Sequence, residues 1–165
     1  MMKMKKILLL FFLLSCFYVQ AQQITTFILV RHAEKTAGGL SDPDLTDAGH
    51  LRATRLAAFL KETKIDAIYS TAFKRTTNTV MPLAKDKGLG LFSYDPLKTG
   101  PIDEMISKYP GGTIVVCGHS NTVPWTANYL IGKEEYKNFN DGDYDNILVV
   151  TITEKGKGKV VWLKY

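Results

Sequence analysis

Cysteine and histidine are scarce in this 165-residue chain, with two of the first and three of the second. Cys16 lies in an amino-terminal stretch that carries export features, which leaves Cys117 alone in the remainder. An intramolecular disulfide and a zinc site of the usual cysteine spacing are thereby excluded. A metal centre built on His32 and His119 would lack a third ligand at a recognisable spacing, so no metal and no other cofactor is expected. Long apolar runs are missing too. Ile7 to Leu14 is an unbroken octet, interrupted at Ser15 and again at Gln20, whereas a membrane span needs roughly 20 apolar residues. Lys and Arg do not cluster on one element with interleaved aromatics, and this argues against a nucleic-acid partner. There is no internal repeat and no low-complexity linker.

The amino terminus reads as a targeting segment. Lys3, Lys5 and Lys6 precede the apolar octet, and Val19-Gln20-Ala21 places small residues at the spacing a signal peptidase reads. Residues 1–21 are therefore expected to be a signal peptide, and residues 22–165 a single domain. The destination is periplasmic or extracellular, in a bacterium, with no stable membrane insertion after cleavage. The alternative is a lipoprotein, because Leu13-Leu14-Ser15-Cys16 resembles a lipobox in which Cys16 is acylated. Loss of residues 1–21 removes three lysines and no acid, so the formal charge of +5 falls to +2, with 18 basic and 16 acidic residues. Most of the basic character thus belongs to targeting.

What the chain has in plenty is alternation of strand-like and helix-like segments. Strands are expected at Ile24–Arg31, Asp66–Ser70, Leu89–Tyr94 and Thr113–Cys117. A helix with Thr46 as N-cap and Asp47 in its first turn should run to about Lys61, with Ala48, Leu56, Phe59 and Leu60 facing the core. The next helix, capped by Ser70 or Thr71, carries Lys74 and Arg75 in its first turn and turns Val80, Leu83 and Ala84 inward, with a kink or break at Pro82. A short helix is expected near Ile102 to Tyr109, and another from Asn121 or Thr122 with Pro124 in its first turn. Ile147–Thr153 and Val160–Leu163 leave no room for a crossover helix and should form an antiparallel hairpin. The pattern predicts an α/β fold, a three-layer α/β/α sandwich whose mostly parallel sheet carries that hairpin at its edge.

Two of these strands end in unusual company. The run Phe27 to Val30 stops at Arg31-His32-Ala33-Glu34, and the run from Thr113 to Val116 stops at Cys117-Gly118-His119-Ser120. A core requires none of these polar groups. If both strands are parallel members of one sheet, their carboxyl ends share an edge where ligands bind, and His32 and His119 meet although 87 positions apart. Planar guanidinium forks at Arg31 and Arg75 match phosphate oxygens bidentately. A neutral His32 suits nucleophilic attack on phosphorus, with His119 donating to the transferring group. His50, on an early helical turn with no partner motif, stays outside the site.

On these residues the chain resembles the histidine phosphatase superfamily, also called phosphoglycerate mutase-like, over nearly all of residues 22–165. The family's opening motif is met by Arg31-His32-Ala33-Glu34 and its helix start by Leu45, Thr46 and Gly49. Its serine-rich turn and basic pair are met by Ser70, Lys74, Arg75 and Thr79, and its second histidine by Gly118-His119. The resemblance implies a metal-independent hydrolase of phosphate esters that passes through a phosphohistidine. His32 and His119 would be catalytic, with Arg31, Arg75 and His119 holding phosphate. It places the proton donor in the loop after the third strand, here Asp95, with Glu34 as the alternative. Ala33 stands where the family usually has glycine, Gly38 where an asparagine is expected, and Arg52 where a helix glutamine is expected. The short segment from Arg75 to Gly118 favours a small phosphatase over a mutase. The expected substrate is a phosphomonoester or phosphohistidine, presented by a small molecule or a phosphoprotein. The rival is a catalytically silent phosphate- or sugar-phosphate-binding module of the cell envelope.

Overall fold

The strand β1, Thr25–Arg31, lies inside the sheet because its side chains are apolar on both sides. Phe27 and Leu29 pack with Met105, Val123 and Leu130, while Ile28 and Val30 pack with Leu56, Val80 and Leu83. A strand buried on both faces reads as a continuous apolar run, and each fully buried side chain of this size contributes about 1.5–3 kcal/mol. The computed structural model of the protein describes residues 23–38 and 41–165. The expected signal peptide and Cys16 lie outside the described residues.

Around β1 stand β2 (Ala67–Ser70), β3 (Leu91–Ser93), β4 (Thr113–Gly118), β5 (Asn146–Glu154) and β6 (Lys157–Lys164). The sheet order is β3-β2-β4-β1-β5-β6. The β2–β3, β2–β4 and β1–β4 pairs are parallel, and β5 runs antiparallel to both β1 and β6. The helices are α1 (Asp47–Phe59), α2 (Lys74–Lys87), α3 (Gly100–Lys108) and α4 (Thr122–Ile131). One apolar cluster joins α1 and α2 to one face of the sheet, and a second joins α3 and α4 to the other. This is the expected three-layer sandwich. The hairpin turns through Lys155-Gly156, where Gly156 has φ +86°, a left-handed backbone that glycine adopts without strain. Among the described residues no helix is long and apolar enough to cross a membrane.

Several local expectations change. Ala48 and Phe59 are exposed, and α1 instead buries Gly49, Ala53, Leu56 and Ala57. The cause is a close approach: a Cβ on Gly49 would lie 2.3 Å from the Glu34 carbonyl, so the small side of the helix faces inward. Helix α2 continues through Pro82 instead of dividing there. Neither Ser70 nor Thr71 caps it; Asp42, from a loop 32 positions away, accepts the Lys74 N–H at 2.9 Å.

Candidate active site

Register brings the two histidines together. Arg31 pairs with Gly118 across the parallel β1 and β4, so His32 and His119 leave the sheet as neighbours. The His32 N–H donates to the Gly118 carbonyl at 2.9 Å, and the two imidazoles meet edge to face with centroids 5.4 Å apart. Gly118 is needed there, since a Cβ would sit 2.7 Å from the Thr122 hydroxyl that accepts the His119 N–H.

Each ring is fixed by a neighbour. His32 Nδ1 lies 2.8 Å from the Ala33 carbonyl. A carbonyl only accepts, so Nδ1 carries the proton and the lone pair of Nε2 is free for attack. The Ala33 N–H in turn donates to Thr79 Oγ1 at 2.8 Å, and that hydroxyl donates to the Arg75 carbonyl, tying the His32 loop to α2. His119 Nε2 lies 3.1 Å from Thr71 Oγ1. Phe73 packs edge-on against His119, and Tyr144 tilts over His32 with centroids 5.9 Å apart.

Two guanidinium groups join the histidines. Arg31, 3% exposed, donates through one terminal nitrogen to the carbonyls of Asn140 and Asp143 and lies 4.2 Å from the Tyr144 ring centre. Arg75 lies 4.3 Å from the Phe73 ring centre, and its terminal nitrogen is 3.9 Å from Asp42. In both arginines Nε is buried without a hydrogen-bond partner among the described residues. An unsatisfied buried donor costs about 1–3 kcal/mol, and more when it is charged. An anion with several oxygens would supply the missing acceptors.

Burial first, then the charges of Arg31, His119 and Arg75, push His32 down to about 4 against the opposing pull of the Ala33 carbonyl. Burial, then Arg75 and Arg31, push His119 down to about 4 as well. Both rings are neutral at pH 7. Unfolded histidine titrates near 6.5, so between about 6.5 and 4 the unfolded chain binds protons that the native site refuses. Stability should therefore fall as pH drops through that window and level off below it. Ring-proton NMR should give midpoints near 4 for both residues, and added phosphate should raise them by stabilising the imidazolium forms. A midpoint near 6.5 in the free protein would contradict this electrostatic account.

The structure gathers Arg31, His32, Arg75 and His119, but it turns the two candidate acids elsewhere. Glu34 accepts Nε and a terminal N–H of Arg52, the shortest contact being 2.7 Å, and this pairing holds its carboxyl below the usual range. Arg52, met in the sequence as a departure from the family pattern, thus anchors the loop after His32. Asp95 is partly exposed; the Leu97 N–H at 3.0 Å and Lys98 at 3.1 Å keep it ionised. Thr71, Phe73 and Tyr144 are site neighbours that the sequence reading did not assign. Thr71 and Phe73 lie in the serine-rich turn and were within reach of that signal, whereas nothing local marks Tyr144. His50 is exposed on α1, away from this cluster. Cys117 is fully buried and free, and burial pushes its thiol up. Among the described residues no group of three or more His, Cys, Asp or Glu side chains is arranged to hold a metal ion.

Fold and site together define an α/β domain with a histidine–arginine cluster at the carboxyl edge of its parallel strands. The family model of the histidine phosphatase superfamily, branch 1, matches residues 27–98, somewhat less than half of the chain. It is similar to phosphoserine phosphatase 1 of Hydrogenobacter thermophilus, 35% identical over 97 residues that cover 50% of this chain and 46% of the relative. The match thus spans less than half the length of that relative. Among solved structures, the protein histidine phosphatase SixA complexed with tungstate superposes with a TM-score of 0.68 at 18% identity, covering 84% of this chain and 96% of that one. A mycobacterial glucosyl-3-phosphoglycerate phosphatase complexed with VO3 gives 0.70 at 13% identity, with coverages of 85% and 99%. At these identities the structural likeness speaks for the fold.

Proposed function

We propose that the protein is an exported phosphatase that hydrolyses a phosphomonoester or phosphohistidine through a phosphohistidine on His32. The observation that carries this reading is the pair of buried arginine Nε donors, without a partner among the described residues, beside two neutral histidines. Arg31 and Arg75 hold the equatorial oxygens of the transferring group, while His32 Nε2 attacks phosphorus in line with the leaving atom. The P–N bond forms as the bond to the leaving group breaks, and His119 donates a hydrogen bond to the transferring oxygens. Water then attacks phosphorus, the P–N bond breaks, and inorganic phosphate departs. Asp95, in the loop after β3, is the proposed proton donor to a basic leaving oxygen, with Glu34 as the alternative. Each is ionised and paired in the free protein, Asp95 with Lys98 and Glu34 with Arg52, so either must take up a proton before it can donate one. Because both are held ionised at neutral pH, leaving groups that depart without an acid should react fastest. Relatives named as phosphatases support the reading.

The purified protein is expected to hydrolyse an activated aryl phosphate, with a chelator leaving the rate unchanged. Activity that vanished with chelator and returned with zinc or magnesium would contradict the arginine-based mechanism. Phosphate binding with no turnover on any ester would instead favour the silent binding module.

Export rests on the lysine-led apolar octet and the Val19-Gln20-Ala21 spacing. Intact mass of the exported form should correspond to a chain beginning at Gln22. A diacylglyceryl increment on Cys16 would replace this reading with a lipoprotein.

A further inference from the structure

Beside the histidine–arginine cluster a cleft of about 300 Å³ opens between the loop that follows β3 and the start of α4, lined by Pro96, Leu97, Asn121, Thr122, Trp125 and Asn138. Two of its lining segments are tied to that cluster by hydrogen bonds. Thr122 holds the His119 N–H through its hydroxyl at 2.9 Å. On the other wall, the Phe139 N–H donates to the Ser120 carbonyl, and the Asn140 carbonyl accepts Arg31 at 2.8 Å. The stretch Asn138–Asn140 therefore runs from the cleft to the arginine, and the cleft adjoins the segments that hold Arg31 and His119.

The lining has a definite chemistry. None of the six side chains carries a charge, and the charged neighbours on the same loop, Asp95 and Lys98, pair with each other. Trp125 stacks on Tyr129 with ring planes 8° apart, which fixes one flat wall. Leu97, also in the lining, is 82% exposed, an apolar side chain left in water. Asn121 and Asn138 add neutral hydrogen-bonding groups. A cleft of this size, mostly apolar with a few polar groups, fits a small ligand fragment.

We propose that this cleft is the leaving-group subsite and that it takes an uncharged planar ring, which makes aryl and heteroaryl phosphates better ligands than phosphoserine. The inference rests on the phosphatase reading for the position of the phosphate. Serine carries a carboxylate and an ammonium, and the cleft offers neither an opposite charge, so placing them there strips water without compensation. A ring meets the Trp125 and Leu97 walls instead.

Non-hydrolysable phosphonates separate binding from leaving-group reactivity, so the test is calorimetric binding to the full protein. Benzylphosphonate should bind at least about 10-fold more tightly than 2-amino-3-phosphonopropionate, a zwitterion of serine type. Leu97→Ser, at an exposed position where folding is not at stake, and Trp125→Ala should each remove most of that preference and leave binding of inorganic phosphate unchanged. Equal or tighter binding of the zwitterion would overturn the proposal, as would variants that weaken phosphate and benzylphosphonate alike. Normal binding without turnover on any ester would refute the catalytic reading alone, whereas failure to bind inorganic phosphate would remove both.

Discussion

His32→Ala is expected to lower turnover of an aryl phosphate by about 10⁴-fold or more, because loss of a covalent nucleophile removes the reaction path and leaves only what binding and electrostatics supply. The geometry singles out this residue. Its Nδ1 is committed to the Ala33 carbonyl, its Nε2 is free, and burial beside two arginines keeps the ring unprotonated. His119 is neutral as well, but its Nε2 is already engaged with Thr71. Phosphoramidates are labile in acid and survive in alkali, so rapid quench with labelled substrate should trap an adduct of that behaviour on the wild type. The same adduct formed unchanged by His32→Ala would assign the nucleophile elsewhere. Since His32 is buried, the thermal midpoint of the variant should be measured alongside, so that lost activity is not mistaken for lost fold.

Arg75→Ala should cost about 10²- to 10³-fold in kcat/KM, the range seen when one fixed donor to a developing anion is removed. Arg75→Lys should recover only part of this, because an ammonium cannot present the planar fork that spans two phosphate oxygens. A second readout is independent of turnover. Arg75 is the largest charge holding His119 down, after burial itself, so its removal should raise the His119 midpoint above about 4. His32 feels Arg31 more strongly than Arg75, so it should shift in the same direction and by less. Among the described residues the Arg75 Nε has no partner, so its loss should cost little stability. A variant with wild-type kcat/KM and unmoved histidines would mean that Arg75 is a surface helix residue.

Much of this arrangement was legible in the sequence, because it follows from rules that act over short stretches. An apolar run buried on both faces identifies β1 and β4, and polar residues where each run stops identify the ligand edge. Once the two strands are parallel, the pairing of Arg31 with Gly118 makes neighbours of His32 and His119. The Thr46 cap, whose hydroxyl accepts the Gly49 N–H at 3.1 Å, is likewise a local matter. The tertiary structure alone decided where loop side chains point. Asp42 caps a helix 32 positions away, Arg52 captures Glu34 from 18 positions away, and Tyr144 covers His32 from a loop that carries no motif. Such partners are chosen by whichever segments the packed sheet brings within hydrogen-bond reach, and no propensity or period encodes that distance. For the same reason Ala48 and Phe59 fall outside the core: the close contact of Gly49 with the Glu34 carbonyl, made only after α1 docks, rotates the buried face of that helix.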